Sequence, residues 1–250
     1  MDHSTRHRLA KGICSRVVGK YPGQVVLCGL YGSTARGDDT EWSDIEMYFV
    51  TKKGCRLRTR HFIFNDVQVY AGAITENTLL GILGAPSYKW AFWMGVLDVT
   101  ETLHGESKKV KAWMAVGKAV PEAKFKKALS EILSDDELVE SYGRIMSCRE
   151  RGNARDAHLA VVEVLYEMRN ALCLLNRGWV MHDYYNGLED TFRFAKLPRG
   201  WKSIVPRIWA ARDLDEVAHL AERLMESFME LMAKEGIERH VYRELSEIPL

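Results

Sequence analysis

The chain has 250 residues, 47% apolar and 28% charged, the make-up of an ordinary globular protein rather than a disordered or fibrous one. A formal net charge of +1 lacks the basic excess of proteins that live on nucleic acid, so no nucleic-acid partner is expected. No apolar run approaches the ~20 residues a membrane helix needs, and Met1-Asp2-His3-Ser4 opens without an apolar signal segment, so the expected place is the cytoplasm, with no membrane partner.

In chain order, Ser4 is placed to cap a helix carrying Leu9, Ile13 and Val17 on one stripe, ended by Tyr21-Pro22-Gly23. Gln24–Tyr31 is a near-continuous apolar run of strand length. A polar turn over Gly32–Ser43 follows. Asp44–Thr51 then alternates Ile45, Met47 and Phe49 with Asp44, Glu46 and Tyr48, the period of a second strand. A third extended stretch runs from Arg56 to Ala71. Beyond Pro121 the apolar spacing changes to three and four, predicting helices over Asp135–Arg151, Ala154–Leu175 and Asp213–Lys234, with shorter ones near Gly187–Ala195 and Trp201–Ala211. The fold class expected is α+β: a mixed sheet with helices over residues 1–115, then a helical bundle over 116–250. The boundary is set near the Lys-rich stretch Lys108–Lys118 that precedes Pro121. Cys14, Cys28, Cys55, Cys148 and Cys173 form no C-x-x-C pair and are expected to be reduced thiols. The histidines are read as holding no zinc pattern.

The segment with chemical content is Tyr31-Gly32-Ser33-Thr34-Ala35-Arg36-Gly37, followed by Ser43-Asp44-Ile45-Glu46. On an extended strand, Asp44 and Glu46 point to one face while Ile45 and Met47 point to the other. Two adjacent carboxylates repel unless a cation lies between them, and their hard oxygens suit Mg²⁺. The preceding Gly32-Ser33 turn allows close backbone approach and offers a hydroxyl, as a phosphate cradle requires. Carboxylates facing a phosphate-binding turn are the equipment of nucleotidyl or phosphoryl transfer.

This run, with its Asp-x-Glu on the next strand, resembles the DNA polymerase β-type nucleotidyltransferase superfamily. Within it, Gly29–Ser33 and Ser43–Met47 are similar to the kanamycin nucleotidyltransferase family of aminoglycoside 4′-O-adenylyltransferases. Shorter matches follow in order: Asp66–Tyr70, Leu138-Val139-Glu140, Leu197–Gly200 and Ile248-Pro249-Leu250. The resemblance implies that Asp44 and Glu46 hold Mg²⁺ and that a third acid lies on a following strand. Asp66 is the choice for it, with a β-turn role as the competing reading; Gln68 shares its face but supplies no charge. The resemblance further implies that Gly32 and Ser33 hold the ATP β/γ-phosphates, with Arg36 nearby. It makes Glu140 the general base. Arg144 stands where the family carries a phosphate-binding lysine, which exchanges a point charge for a planar fork. It also implies a homodimer whose active site is shared between subunits.

An aminoglycoside is a polycation, so its pocket is expected to be acidic. Glu76, Asp98, Glu101, Asp135, Asp136 and Glu137 are candidates, with Glu101 favoured by its spacing after Asp66, and Trp42 is placed to flank nucleotide or drug. The expected reaction is transfer of AMP from ATP to an aminoglycoside hydroxyl, the 4′ by resemblance. A protein or RNA acceptor, as in toxin–antitoxin systems, and a non-catalytic nucleotide sensor are the alternatives.

Overall fold

The computed structural model describes residues 1–135 and 137–248, and the chain divides into two units, the first ending at Val120 and the second beginning at Pro121. The fold is α+β. In the first unit, helix α1 (His3–Lys20) is capped by Asp2 rather than Ser4, because the Asp2 carboxylate accepts from the Thr5 amide and from the Ser4 and Thr5 hydroxyls. Those bonds hold Asp2 well below the usual carboxylate range.

Five strands follow in the first unit: β1 (Val25–Tyr31), β2 (Ile45–Thr51), β3 (Arg60–Phe64), β4 (Val67–Thr75) and β5 (Glu101–His104). Their spatial order is β3-β4-β2-β1-β5, with β2 and β4 parallel and the other pairs antiparallel. Alternation divides the sheet into two faces, with register shifts on β1. Cys28, Leu30, Ile45, Met47, Phe49, Val67 and Val69 face α1 and are buried with its Ala10 and Cys14. Each fully buried apolar side chain contributes ~1.5–3 kcal/mol. The opposite face carries Tyr31, Glu46, Tyr48 and Tyr70, since Tyr31 is the register partner of Glu46 and Glu46 that of Tyr70.

Five elements of the first unit escaped the period count, strand β5 and four helices. The turn after β1 is a short helix, α2 (Gly32–Arg36), stopped by Gly37 in the left-handed region. Helices α3 (Glu76–Leu83), α4 (Tyr88–Asp98) and α5 (Lys108–Lys118) pack on one another. Helix α5 is the Lys-rich stretch expected at the boundary. It is helical and part of the first unit because Val110, Trp113 and Gly117 recur at i, i+3 and i+7 and are buried, while the lysines take the outer side.

The second unit consists, among the described residues, of six α-helices: α6 (Glu122–Asp135), α7 (Leu138–Arg151), α8 (Ala154–Leu175), α9 (Tyr184–Asp190), α10 (Trp201–Ala210) and α11 (Leu214–Lys234). Helix α8 is its axis, burying Val161, Val164, Leu165, Met168 and Leu172 against α7 and α11. Its N-cap is Asn153, and Asp213 caps α11. No described helix is long and apolar enough to cross a membrane.

Candidate functional site

Glu46 lies at one end of the sheet face that α1 does not cover, with Asp44 just before the strand. Glu46 follows the first residue of β2 and is half-buried, as is Asp44 immediately before the strand. Tyr31, buried across the ladder from Glu46, is hydrogen-bonded to that carboxylate. Burial, and then the nearby charge of Glu46, push the Tyr31 hydroxyl far above its ordinary value; Tyr70, the Glu46 hydrogen bond and Asp44 add to this. Tyr31 therefore stays protonated and donates. These effects place Asp44, Glu46, Tyr31 and Tyr70 in one electrostatic neighbourhood.

Gly32 closes this group from the side. Its φ of +69° is left-handed, and a Cβ there would collide with Glu46 Oε2. No other residue type lets the chain turn from β1 into α2 while the carboxylate lies against the backbone. Ser33 follows, half-buried, its carbonyl accepting from the Gly37 and Asp38 amides at 2.9 and 3.2 Å. Arg36 ends α2 with Nε on Asp38 at 3.1 Å.

The loop between α2 and β2 is tied from α1. Arg6, with 1% of its side chain exposed, donates from Nη1 to Asp39 Oδ2 (3.0 Å), from Nη2 to the Glu41 carbonyl (2.8 Å) and from Nε to the Ser43 carbonyl (3.1 Å). The other Asp39 oxygen meets His3 Nδ1 at 2.6 Å. Burial pushes the Asp39 carboxyl up, but His3 and Arg6 outweigh it and hold it below the ordinary value. Sequence reading missed both residues, because an arginine in an N-terminal helix carries no mark of a loop contact more than 30 residues away.

Two sequence expectations need correction. Asp66 is not on the strand face: Asn65 and Asp66 form the two-residue turn joining β3 to β4, both left-handed (φ +46° and +61°), and Asp66 is exposed. Asn-Asp tolerates that backbone, so turn chemistry decided the position. Gln68, the residue before the Ile45 partner Val69, stands level with Asp44 instead. Accordingly, no group of three His, Cys, Asp or Glu side chains arranged for a metal ion occurs among the described residues. Glu101 is the second correction. It pairs in register with Leu30, whose side chain faces α1, and its carboxylate meets His7 Nε2 on that helix at 2.5 Å. It thus lies on the sheet face opposite Glu46, because strand parity and not sequence spacing decides the face.

Of the remaining acidic candidates, Glu76 and Asp98 belong to the first unit and Glu137 to the second. Glu76 accepts from Lys109 Nζ and Trp113 Nε1, both at 3.1 Å, joining α3 to α5. Asp98 ends α4 and Glu137 precedes α7, both exposed. Asp136, the Asp135 side chain and Pro249-Leu250 lie outside the described residues. Trp42 is 85% exposed in the loop before Asp44. His3 and His7 are an i, i+4 pair that the sequence reading passed over; each ring meets a carboxylate, Asp39 and Glu101 respectively.

In the second unit, Glu140 lies in the first turn of α7, where the helix dipole favours an anion. Arg144, one turn on, donates from Nη2 to Glu140 Oε1 at 2.6 Å and from Nη1 to Glu163 Oε2 of α8 at 3.0 Å. The Glu140 hydrogen bond is the largest cause of the raised Arg144 pKa. Ser141 Oγ also donates to Glu163 Oε2, at 2.9 Å. Glu163 was missed, since an acid on the exposed side of a long helix looks like any solvated residue.

No family model matches the chain. Over 250 aligned residues, 97% of the chain, it is 22% identical to an aminoglycoside nucleotidyltransferase (4′) from a Bacillus species, of which the alignment covers 94%. Among solved structures it is similar to a nucleotidyltransferase-like protein from Exiguobacterium sibiricum, with a TM-score of 0.48 and 14% identity over 90% of this chain and 75% of that one.

Proposed function

We propose that the protein transfers AMP from ATP to a hydroxyl of an aminoglycoside, the 4′-hydroxyl by resemblance, releasing pyrophosphate and conferring resistance. The observation that carries this reading is the Glu46 carboxylate held against Gly32, with Asp44 beside it, at the start of a Gly-Ser turn. The end-to-end similarity to an aminoglycoside nucleotidyltransferase (4′) supports the choice of acceptor.

The donor set fits Mg²⁺, which takes one or two protein carboxylates and completes its shell with water and substrate phosphates. Asp44 and Glu46 would hold it, without Asp66 in the position first expected. Bound there, the ion supplies charge to offset that growing on the leaving pyrophosphate. The chain's own residues do the rest. Tyr31 keeps Glu46 oriented by its hydrogen bond. Gly32 and Ser33 present backbone and hydroxyl to the phosphates, and the Arg36 and Arg144 guanidinium groups add cations.

The acceptor oxygen forms a bond to the α-phosphorus as the α–β bridging bond breaks. The hydroxyl proton goes to Glu140, and the electron pair leaves with pyrophosphate. A positioned carboxylate base of this kind contributes ~10²–10⁴-fold. The proposal includes a homodimer in which one subunit supplies Asp44 and Glu46 and its partner supplies Glu140 and Arg144.

The test is mass spectrometry of kanamycin and tobramycin after incubation with ATP and Mg²⁺. A gain of one AMP, lost in Asp44→Asn and Glu46→Gln proteins that still melt cooperatively, is the expected result. Pyrophosphate release only with a protein or RNA acceptor would overturn the drug assignment; full activity in either variant would overturn the metal assignment. For the shared site, inactive Asp44→Asn and Glu140→Ala proteins are mixed under conditions of subunit exchange. Random pairing restores roughly a quarter of the sites if each is built from two subunits, and none if each subunit is self-sufficient.

A further inference from the structure

We propose that Arg6, together with Asp39, is a positioning residue for the metal site: it fixes the loop that aims Asp44 at the same point as Glu46. The inference rests on the reading that Asp44 and Glu46 hold the divalent ion. Glu46 needs no such help, because it lies inside β2 and the ladder decides its direction. Asp44 lies one residue outside that strand. Its side-chain direction therefore depends on the peptide plane linking it to Ser43, and the carbonyl of that plane accepts from Arg6 Nε at 3.1 Å. The Asp44 carbonyl, on its other side, accepts a long 3.4 Å hydrogen bond from Thr34 Oγ1.

Arg6 takes hold of the loop at three points, Asp39, Glu41 and Ser43, using all three guanidinium nitrogens. The loop's own cross-links are modest, a Thr40–Ser43 turn in which the Ser43 amide donates to the Thr40 carbonyl at 3.1 Å and the Thr40 amide to Ser43 Oγ at 2.9 Å. The Arg6 and Asp39 side chains are 1% and 2% exposed. A buried ion pair of this kind commonly adds little net stability over an apolar replacement, because desolvation offsets the attraction. What it adds here is direction: a planar, five-donor fork sets the orientation of a loop that has no ladder. A lysine in its place keeps the charge but has no fork to reach three acceptors in fixed geometry.

The test uses the full chain and two readouts, Mn²⁺ binding followed by electron paramagnetic resonance and the Mg²⁺ concentration giving half-maximal AMP transfer. Thermal melting is followed in parallel. Arg6→Lys and Asp39→Asn are expected to melt as single cooperative transitions, with Mn²⁺ affinity and Mg²⁺ activation weakened about 10–100-fold, the range typical of outer partners of metal ligands. The ATP KM at saturating metal stays within about 2-fold on the same reasoning. Should both single variants fail to fold, the apolar pair Arg6→Met with Asp39→Leu decides, with the same weakening expected. Wild-type Mn²⁺ affinity in a folded Arg6→Lys or Met/Leu protein overturns the inference. Asp44→Asn separates the two levels. If it also binds Mn²⁺ as the wild type does, the metal reading falls and takes the inference with it. If it loses Mn²⁺ while the Arg6 variants keep it, only the positioning role falls.

Discussion

Replacing Gly32 with alanine separates backbone strain from damage to the site, because the fold supplies a matched control. Gly32 has φ +69° and Gly23, in the turn between α1 and β1, has φ +68°. An L-residue at either position meets the same left-handed penalty of ~1–2 kcal/mol, equivalent to a fall in melting temperature of roughly 2–8 °C for a protein of this size class. Their surroundings differ. A Cβ at Gly23 meets nothing within 4 Å, whereas one at Gly32 runs into Glu46 Oε2. Glu46 must then swing away, and its hydrogen bond with Tyr31 is stretched or lost. A displacement of about 1 Å in a positioning group costs on the order of 10²-fold in rate. Gly23→Ala is therefore expected to show the backbone penalty alone and Gly32→Ala to melt lower still, while only Gly32→Ala loses about 100-fold or more in ATP-dependent AMP transfer. Differential scanning fluorimetry and a pyrophosphate-release assay read the two quantities. Equal activity in the two variants would refute the apposition of Gly32 and Glu46 as a functional feature.

Tyr31→Phe deletes the donor to Glu46 without changing the packed ring. A charge-assisted hydrogen bond contributes ~1.5–3 kcal/mol to stability, so the melting temperature should fall by roughly 3–12 °C and kcat by about 10-fold; unchanged melting and steady-state kinetics would show the bond to be idle. Asp66→Asn and Glu101→Gln should each leave turnover and acceptor KM within about 3-fold, as expected for groups outside the chemical step, and a loss near that of Asp44→Asn would return either residue to the site. The Asp39 carboxyl is held low in the folded protein, so the stability it confers is fully present above the ordinary aspartate value of about 3.9 and is lost as pH falls through its lower folded value. Urea unfolding between pH 7 and pH 3 should therefore show a shallower acid loss in Asp39→Asn than in the wild type, and identical slopes would refute the staple's electrostatic contribution.

The long helices α8 and α11 of the second unit were legible because period and caps agree there, whereas α6 was not among those expected. Helix α8 begins and ends at the residues the sequence indicates, Ala154 and Leu175, and Asp213 caps α11 as a helix start demands. In the first unit the alternating strand β2 was equally plain. Helix α4 was missed because Trp90, Ala91, Met94, Gly95, Val96 and Leu97 are buried almost all round, which leaves no polar stripe for a period to show. Asp66 and Glu101 went astray for a different reason. Sequence spacing counts residues, whereas a two-residue turn and a cross-strand partner decide which face a side chain takes, and both depend on register.

That contrast explains which parts of a site a linear reading can reach. Glu46 lies inside β2, so the backbone of one strand nearly determines its direction, whereas Asp44 lies one residue outside that strand. Tyr31 is placed on Glu46 by the β1–β2 register, and Arg6 reaches Ser43 from a helix 37 residues away. Neither relation has a local period, yet each decides the angle of a carboxylate. The motif thus states which groups carry the charge, and the long-range contacts state whether those groups point together. A chain that kept Gly-Ser and Asp-x-Glu but lost the arginine and the tyrosine would preserve the motif while loosening the geometry on which the motif's chemistry depends.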